Sequence, residues 1–249
     1  MIVRMSTIAL LFLVCLSALP VAVAAPVPEA DAAKIRKALE AGAQGLKVES
    51  VTTSEIPGLY AVQFQRGPLV YATGNGEFFI VGDLFTNGPA GFVNLTEKRR
   101  DDQRKTQLAG LEQGDMIVFA PDGETRATVT VFTDVTCFYC QKLHREVPEL
   151  NKRGVAVRYL AYPRAGLGSD GYKQLASAWC AKDPQDALTR LKSKQQVPEN
   201  VCDGNPVAAQ YALGQEMGVR GTPAIITDQG QMIPGYQSAD QLMQTLGLN

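Results

Sequence analysis

The run Thr128 to Phe132, TVTVF, is β-branched or aromatic at every position, and it leads through a short turn into a helix-patterned segment and then a second run, Val155 to Leu160. Two such runs flanking one helix make a βαβ unit. The strands must then pair in parallel, and the crossover between them must be right-handed. A helix-rich insert follows, from about Ser169 to Met217. Ala224 to Thr227 and Gln231 to Ile233, on either side of the turn Asp228-Gln229-Gly230, predict a closing hairpin, and Ser238 is placed to cap a last helix ending at Gly247. Residues 115–249 thus predict one α/β unit.

The chain begins differently. Arg4, the apolar stretch Ile8 to Leu19 and the small residues Ala22-Val23-Ala24 predict a secretory leader over residues 1–24, with the mature chain starting near Ala25. About 225 residues remain, enough for one large or two modest domains. The formal net charge is −1, so electrostatics gives no case for a nucleic-acid partner or an anionic membrane. Residues 25–92 predict a small α+β unit: a helix over Asp31 to Ala41, then short strands around Val48 to Val51, Leu59 to Phe64, Leu69 to Ala72 and Glu77 to Val81, with Asn75-Gly76 suited to a tight hairpin. Residues 93–114 are of another kind. Asn94 and Glu97 form a capping-box-like start, and Glu97 to Lys105 is densely charged, with no wide apolar stripe. The pattern predicts a solvated connector helix, roughly 27 Å long if about 18 residues are helical. The other reading is a helix packed edge-on through Leu108 and Leu111.

The cysteines carry the chemistry. Of five, Cys15 goes with the leader, and four stay in an exported chain where disulfides are permitted. Cys137 and Cys140 lie in TDVTCFYCQKLH, where the first strand of the βαβ unit gives way to its helix. A thiolate there faces unpaired backbone N–H groups and the positive end of the helix dipole, which lowers its pKa. Cys140 lies one turn further in and is more shielded. In a redox reading Cys137 is the nucleophile and Cys140 the resolving cysteine.

Two other readings stay open, an inert staple and a zinc site completed by His144 with Cys180 or Cys202. Against zinc, His144 stands about 10 Å along the helix from Cys137, and Cys180 and Cys202 are not a close-spaced pair. The same distance argues against His144 as a base for Cys137 and predicts a solvated helix residue. Pro148 removes the bond to the His144 carbonyl, which predicts a kink. A bond between Cys180 and Cys202 would close a loop worth roughly 3 kcal/mol, and a second active dithiol is the alternative. Pro223 suits the start of a strand.

The segments TVFTDVTCFYCQKLH, VRYLAYPRAGLGSD, WCAKD and GVRGTPAIIT together closely resemble the DsbC family of bacterial disulfide isomerases, over nearly the whole mature chain. The resemblance implies an overall α+β class: a small cystatin-like α+β dimerisation domain, a linker helix, and a thioredoxin-like domain with a helical insert. It implies a periplasmic homodimer with an apolar cleft, acting without a cofactor or metal on misfolded or misoxidised exported proteins, and kept reduced by a membrane thiol reductant of the DsbD type. It maps the catalytic cysteines to Cys137 and Cys140, the structural disulfide to Cys180 and Cys202, and a cis-proline to Pro223, with Thr222 beside it pairing with substrate. One departure stands out. Phe138-Tyr139 replaces the common Gly-Tyr, and Gln141 a frequent histidine, adding apolar substrate-facing surface beside Cys137 and bearing on redox poise. Rival functions are a DsbG-like reductase of protein sulfenic acids and a holdase chaperone.

Overall fold

The computed structural model of the protein describes residues 27–42, 45–65, 67–89 and 91–248. The leader expected over residues 1–24, with Cys15, lies outside them. Near the N-terminus, α1 (Glu29–Gly42) packs on a four-stranded antiparallel meander of β1 (Val48–Thr53), β2 (Leu59–Phe64), β3 (Leu69–Thr73) and β4 (Phe79–Val81), in that spatial order. Ile35 and Leu39, one turn apart on α1, bury against Val62, Val70 and Ala72 of the sheet. The turn before β4 sits on the same helix. Gly76 has φ +69°, and a Cβ there would stand 2.7 Å from the Ala38 Cβ, so glycine is required. A second hairpin, β5 (Phe85–Gly88) with β6 (Gly91–Asn94), was not expected from the sequence, because its strands are short and half polar. Phe79, Ile80, Phe85 and Phe92 of β4 to β6 remain exposed.

Helix α2 (Leu95–Ala109) begins where the capping pattern put it, with Asn94 Oδ1 accepting the Glu97 N–H at 2.9 Å. The expectation of a solvated connector requires correction. Leu108 is buried beside Met116, Phe132 and Leu160, and Arg104 is buried with its Nε donating to the Gly230 carbonyl at 2.8 Å. At its other end the helix is tied to the meander, by Thr96 to the Tyr71 hydroxyl at 2.7 Å and by Arg99 to the Thr53 carbonyl at 2.8 Å. Arg104 reads as a polar position, yet it is enclosed because its guanidinium is paired with Glu97 and Asp101 and donates to the Gly230 carbonyl. Gly230 has φ +85°, and a Cβ on it would fall 1.9 Å from the Asp101 carbonyl oxygen.

The rest is an α/β layer structure. A sheet of order β11-β10-β8-β9-β7 is built from β7 (Ile117–Phe119), β8 (Ala127–Thr133), β9 (Val155–Ala161), β10 (Ala224–Thr227) and β11 (Met232–Pro234). β8 and β9 pair in parallel from Ala127 opposite Val155 to Thr133 opposite Ala161, and every other pairing is antiparallel. Between them runs α3 (Phe138–Lys152), which continues through Pro148. The insert is α4 (Asp170–Trp179), α5 (Pro184–Lys192) and α6 (Val207–Glu216), and α7 (Ala239–Thr245) starts at a Ser238 capping box. Val129 and Val131 of β8 pack with Leu143, Val147, Tyr159 and Leu188 on one side, while Phe132 and Ile226 pack with Tyr162 and Met217 on the other. Covering on both faces leaves every residue from Val129 to Thr133 of β8 buried, the threonines included. The three-residue β7 is too short to have left a periodic signal. Among the described residues no helix is long and apolar enough to cross a membrane.

Candidate active site

Cys137 is the N-cap residue of α3, with extended backbone (φ −81°, ψ 121°), and its Sγ accepts the Cys140 N–H at 3.4 Å. A helix start has spare N–H donors because no preceding turn exists to accept them, and here a sulfur fills the role usually taken by a serine or aspartate oxygen. The Thr222 carbonyl stands 3.2 Å from the same sulfur and accepts its proton when it carries one. The Thr222–Pro223 peptide is cis, immediately ahead of β10. Both cysteines are reduced; Cys137 is 3% exposed and Cys140 fully buried.

The two thiols are pushed in opposite directions. The Cys140 thiol hydrogen bond lowers the Cys137 pKa most; burial opposes it; the Thr222 hydroxyl, the Cys140 N–H and the Arg164 charge add to the lowering, and the outcome is about 5. Cys140 is raised, first by burial and then by its bond to Cys137. At neutral pH one sulfur is an anion at the mouth of a helix and the other holds its proton beneath it. A pair so divided can attack with one sulfur and keep the other in reserve.

The turn between strand and helix is organised by Asp134. Its Oδ1 accepts the Thr136 N–H and hydroxyl, each at 2.7 Å, and its Oδ2 accepts the Arg164 N–H at 2.9 Å and pairs with Arg164 Nε at 3.3 Å. Burial alone would raise the Asp134 carboxyl, but these donors hold it below the usual range. Gln141 Nε2 donates to the Val135 carbonyl at 2.9 Å, bracing the same turn. The Asp-x-Thr spacing was a legible sign of such a turn; the Arg164 partner, thirty residues on, was not.

Phe138 and Tyr139 stand out from the surface at 61% and 55% exposure, edge to face with centroids 5.4 Å apart, and Tyr236 stacks on Tyr139. His144 is the second correction. It is buried, not solvated, with Nδ1 3.1 Å from the Tyr159 hydroxyl and Nε2 3.0 Å from Thr189 Oγ1. Burial, with the Lys192 charge nearby, pushes it down to about 4, so it is neutral. Helix α5 covers this face of α3, a packing that leaves no sign in the local sequence pattern. Cys180 and Cys202 form a disulfide, and among the described residues no group of three His, Cys, Asp or Glu side chains gathers to hold a metal.

Comparison with known proteins accords with this geometry. A thioredoxin-like domain model matches residues 113–248, and a disulfide bond isomerase protein N-terminal domain model matches residues 26–97. The thiol:disulfide interchange protein DsbC of Salmonella typhimurium is 39% identical over 221 residues, covering 89% of each chain. That of Escherichia coli is 37% identical over 218 residues, 88% of each. Among solved structures, a linker-deletion mutant of Proteus mirabilis ScsC superposes with TM-score 0.50 at 18% identity, covering 61% of this chain and 82% of that one, a likeness of fold alone. The divided pair of sulfurs on a thioredoxin-like scaffold and the match along nearly the whole chain lead to one assignment: this protein belongs to the DsbC family of thiol:disulfide interchange proteins and is a thiol-disulfide oxidoreductase.

Proposed function

We propose that the protein is a periplasmic protein disulfide isomerase and reductase, with Cys137 as nucleophile and Cys140 as resolving cysteine. The observation that carries this reading is the seating of Cys137 at the start of α3, its Sγ accepting the Cys140 N–H and facing the cis Thr222–Pro223 peptide, with Cys140 fully buried behind it. The Cys137 thiolate attacks one sulfur of a wrong disulfide; a mixed disulfide forms and the other substrate sulfur leaves as a thiolate. If a different substrate thiolate attacks the substrate sulfur of the mixed disulfide, the substrate is re-paired and Cys137 leaves as a thiolate with no net electron flow; return of the first thiolate only restores the wrong pairing. If Cys140 attacks instead, the substrate leaves reduced and Cys137 and Cys140 are joined. Two electrons from a membrane thiol reductant of the DsbD type then restore the dithiol.

The Thr222 and Pro223 backbone beside Cys137 supports a role in pairing with an extended substrate chain, and exposed Phe138 and Tyr139 suit apolar segments of a misfolded client. The exposed apolar residues of β4, at the edge of the meander, and of the separate β5–β6 hairpin support a homodimer through these strands. The test is refolding of a scrambled disulfide protein by the pre-reduced mature chain and by Cys137→Ser. Native pairing recovered only with the intact dithiol is the expected result, and equal recovery by both overturns the assignment. Suppression of aggregation that survives in Cys137→Ser would assign chaperone-like binding to the surface and not to the sulfurs.

A further inference from the structure

Lys192, at the end of α5, is 3% exposed. Its ammonium donates to Thr133 Oγ1 at 2.5 Å and to the Asp134 carbonyl at 3.0 Å, and that carbonyl also accepts the Cys137 N–H at 3.2 Å. It is thus buried under the turn that presents the dithiol. Among the described residues it has no carboxylate partner, since the Asp134 carboxylate is taken by Thr136 and Arg164. A buried cation held only by neutral oxygens is unfavourable by several kcal/mol unless an anion lies close.

Helix packing places the Cys140 sulfur, an anion once it gives up its proton, on that side of the turn. His144 of α3 meets Thr189 of α5 at 3.0 Å. Lys192 lies nearly one turn beyond Thr189 in the direction of Thr133 and Asp134, and Cys140 lies about one turn back from His144 toward the same turn. The two residues therefore stand abreast, one helix turn from the His144–Thr189 contact. The groups facing the ammonium are Cys140, Cys137 and His144 from α3, Asp134 from the turn, Arg164 from the loop after β9, and the Tyr159 ring of β9, whose centroid is 5.9 Å away.

We propose that Lys192 is the positioning residue of the resolving step, its buried ammonium serving as the counter-charge for the Cys140 thiolate. The inference rests on the roles proposed above for the two cysteines. While Cys137 is tied to substrate, the Cys140 proton passes to solvent and the thiolate attacks Cys137 Sγ. The Cys137–Cys140 bond forms and the bond from Cys137 to the substrate sulfur breaks. That sulfur leaves as a thiolate and takes a proton from water; the dithiol has lost the two electrons the substrate gained. Burial alone keeps Cys140 protonated, and the Lys192 charge opposes this. Burial likewise pushes Lys192 down, to about 8, with Cys140 the largest charge holding it up. A neutral residue at 192 should leave attack by Cys137 intact and slow the release that follows.

The test separates those two events. The intact, reduced protein and Lys192→Met are mixed rapidly with dithiobis-nitrobenzoate across a pH series. The first coloured thiolate released reports capture by Cys137, and the second reports resolution by Cys140. Capture should agree within about twofold, while resolution in Lys192→Met should be slower by roughly tenfold at neutral pH, its rising limb displaced upward by about one pH unit. Equal resolution rates and limbs overturn the inference while leaving the cysteine roles standing; absence of capture by the unmodified protein overturns the roles themselves. Should Lys192→Met not fold, the amine of Lys192 is titrated by nitrogen-15 NMR in the unmodified protein. Its midpoint there should lie above its midpoint in reduced Cys140→Ala, where the Cys137 thiolate persists, and identical midpoints overturn the inference.

Discussion

At Cys137 the same atom is a helix cap and the proposed nucleophile, so a structural preference and a chemical one reinforce each other. The alkylation rate of the reduced protein should rise with a midpoint near pH 5, as its lowered pKa requires. Because the Cys140 thiol is the largest cause of that lowering, Cys140→Ala should move the midpoint upward by about one unit or more; an unmoved midpoint would assign the lowering to the helix end alone. His144 is governed by the opposite logic. Its neutral ring is buried between two hydroxyls, with a folded pKa near 4 against an unfolded value of about 6.5. Below pH 6.5 the unfolded chain takes up a proton that the folded one refuses until about pH 4, so stability falls as pH falls through that window. Urea unfolding at pH 7 and pH 4 should show His144→Gln losing less than the unmodified protein over that interval, by on the order of 3 kcal/mol.

At the scale of elements, α2 is the instructive case. Charge density predicted a connector standing in solvent, and the helix is instead fastened at both ends, to the meander through Thr96 and Arg99 and to the α/β layer through Arg104 and Leu108. The tight point is the turn before β11, where the Gly230 backbone meets that of Asp101. Gly230→Ala forces these apart and also places a side chain at φ +85°. It should cost about 2–4 kcal/mol in denaturant unfolding, more than an alanine at an open positive-φ glycine such as Gly218. Equal losses at the two positions would mean that the helix is not held there.

For the whole molecule, the feature left unsatisfied is the apolar surface of β4, the edge strand of the meander, and of the β5–β6 hairpin. Ile80, on the edge strand of the meander, is 58% exposed, and Phe92, in the two-stranded hairpin, is 79% exposed. An edge of that kind invites pairing with another chain. In the proposed dimer, Ile80→Asp or Phe92→Asp should weaken self-association by at least about 2 kcal/mol, measured by sedimentation equilibrium, while leaving Cys137 alkylation unchanged. Full-strength dimers in both variants would move the interface elsewhere.

The local signals were strong wherever neighbours in sequence are also neighbours in space. The parallel pair β8 and β9, the Ser238 cap and the seating of Cys137 at the start of α3 all follow from runs of a few residues, because strand propensity, helix capping and turn chemistry act over that range. The recognisable motifs carried the rest of the reading as far as Thr222 and Pro223. What the chain could not disclose by pattern was which charged or polar residues would be enclosed. Arg104, His144 and Lys192 are indistinguishable in sequence from solvated helix residues, and each is buried because a distant segment covers it: the turn at Gly230, the Tyr159 and Thr189 hydroxyls, the end of β8. Burial is decided by what packs on a residue from elsewhere in the chain, and only the assembled tertiary structure determines it, since the desolvation that tunes these groups depends on distances that sequence separation does not encode.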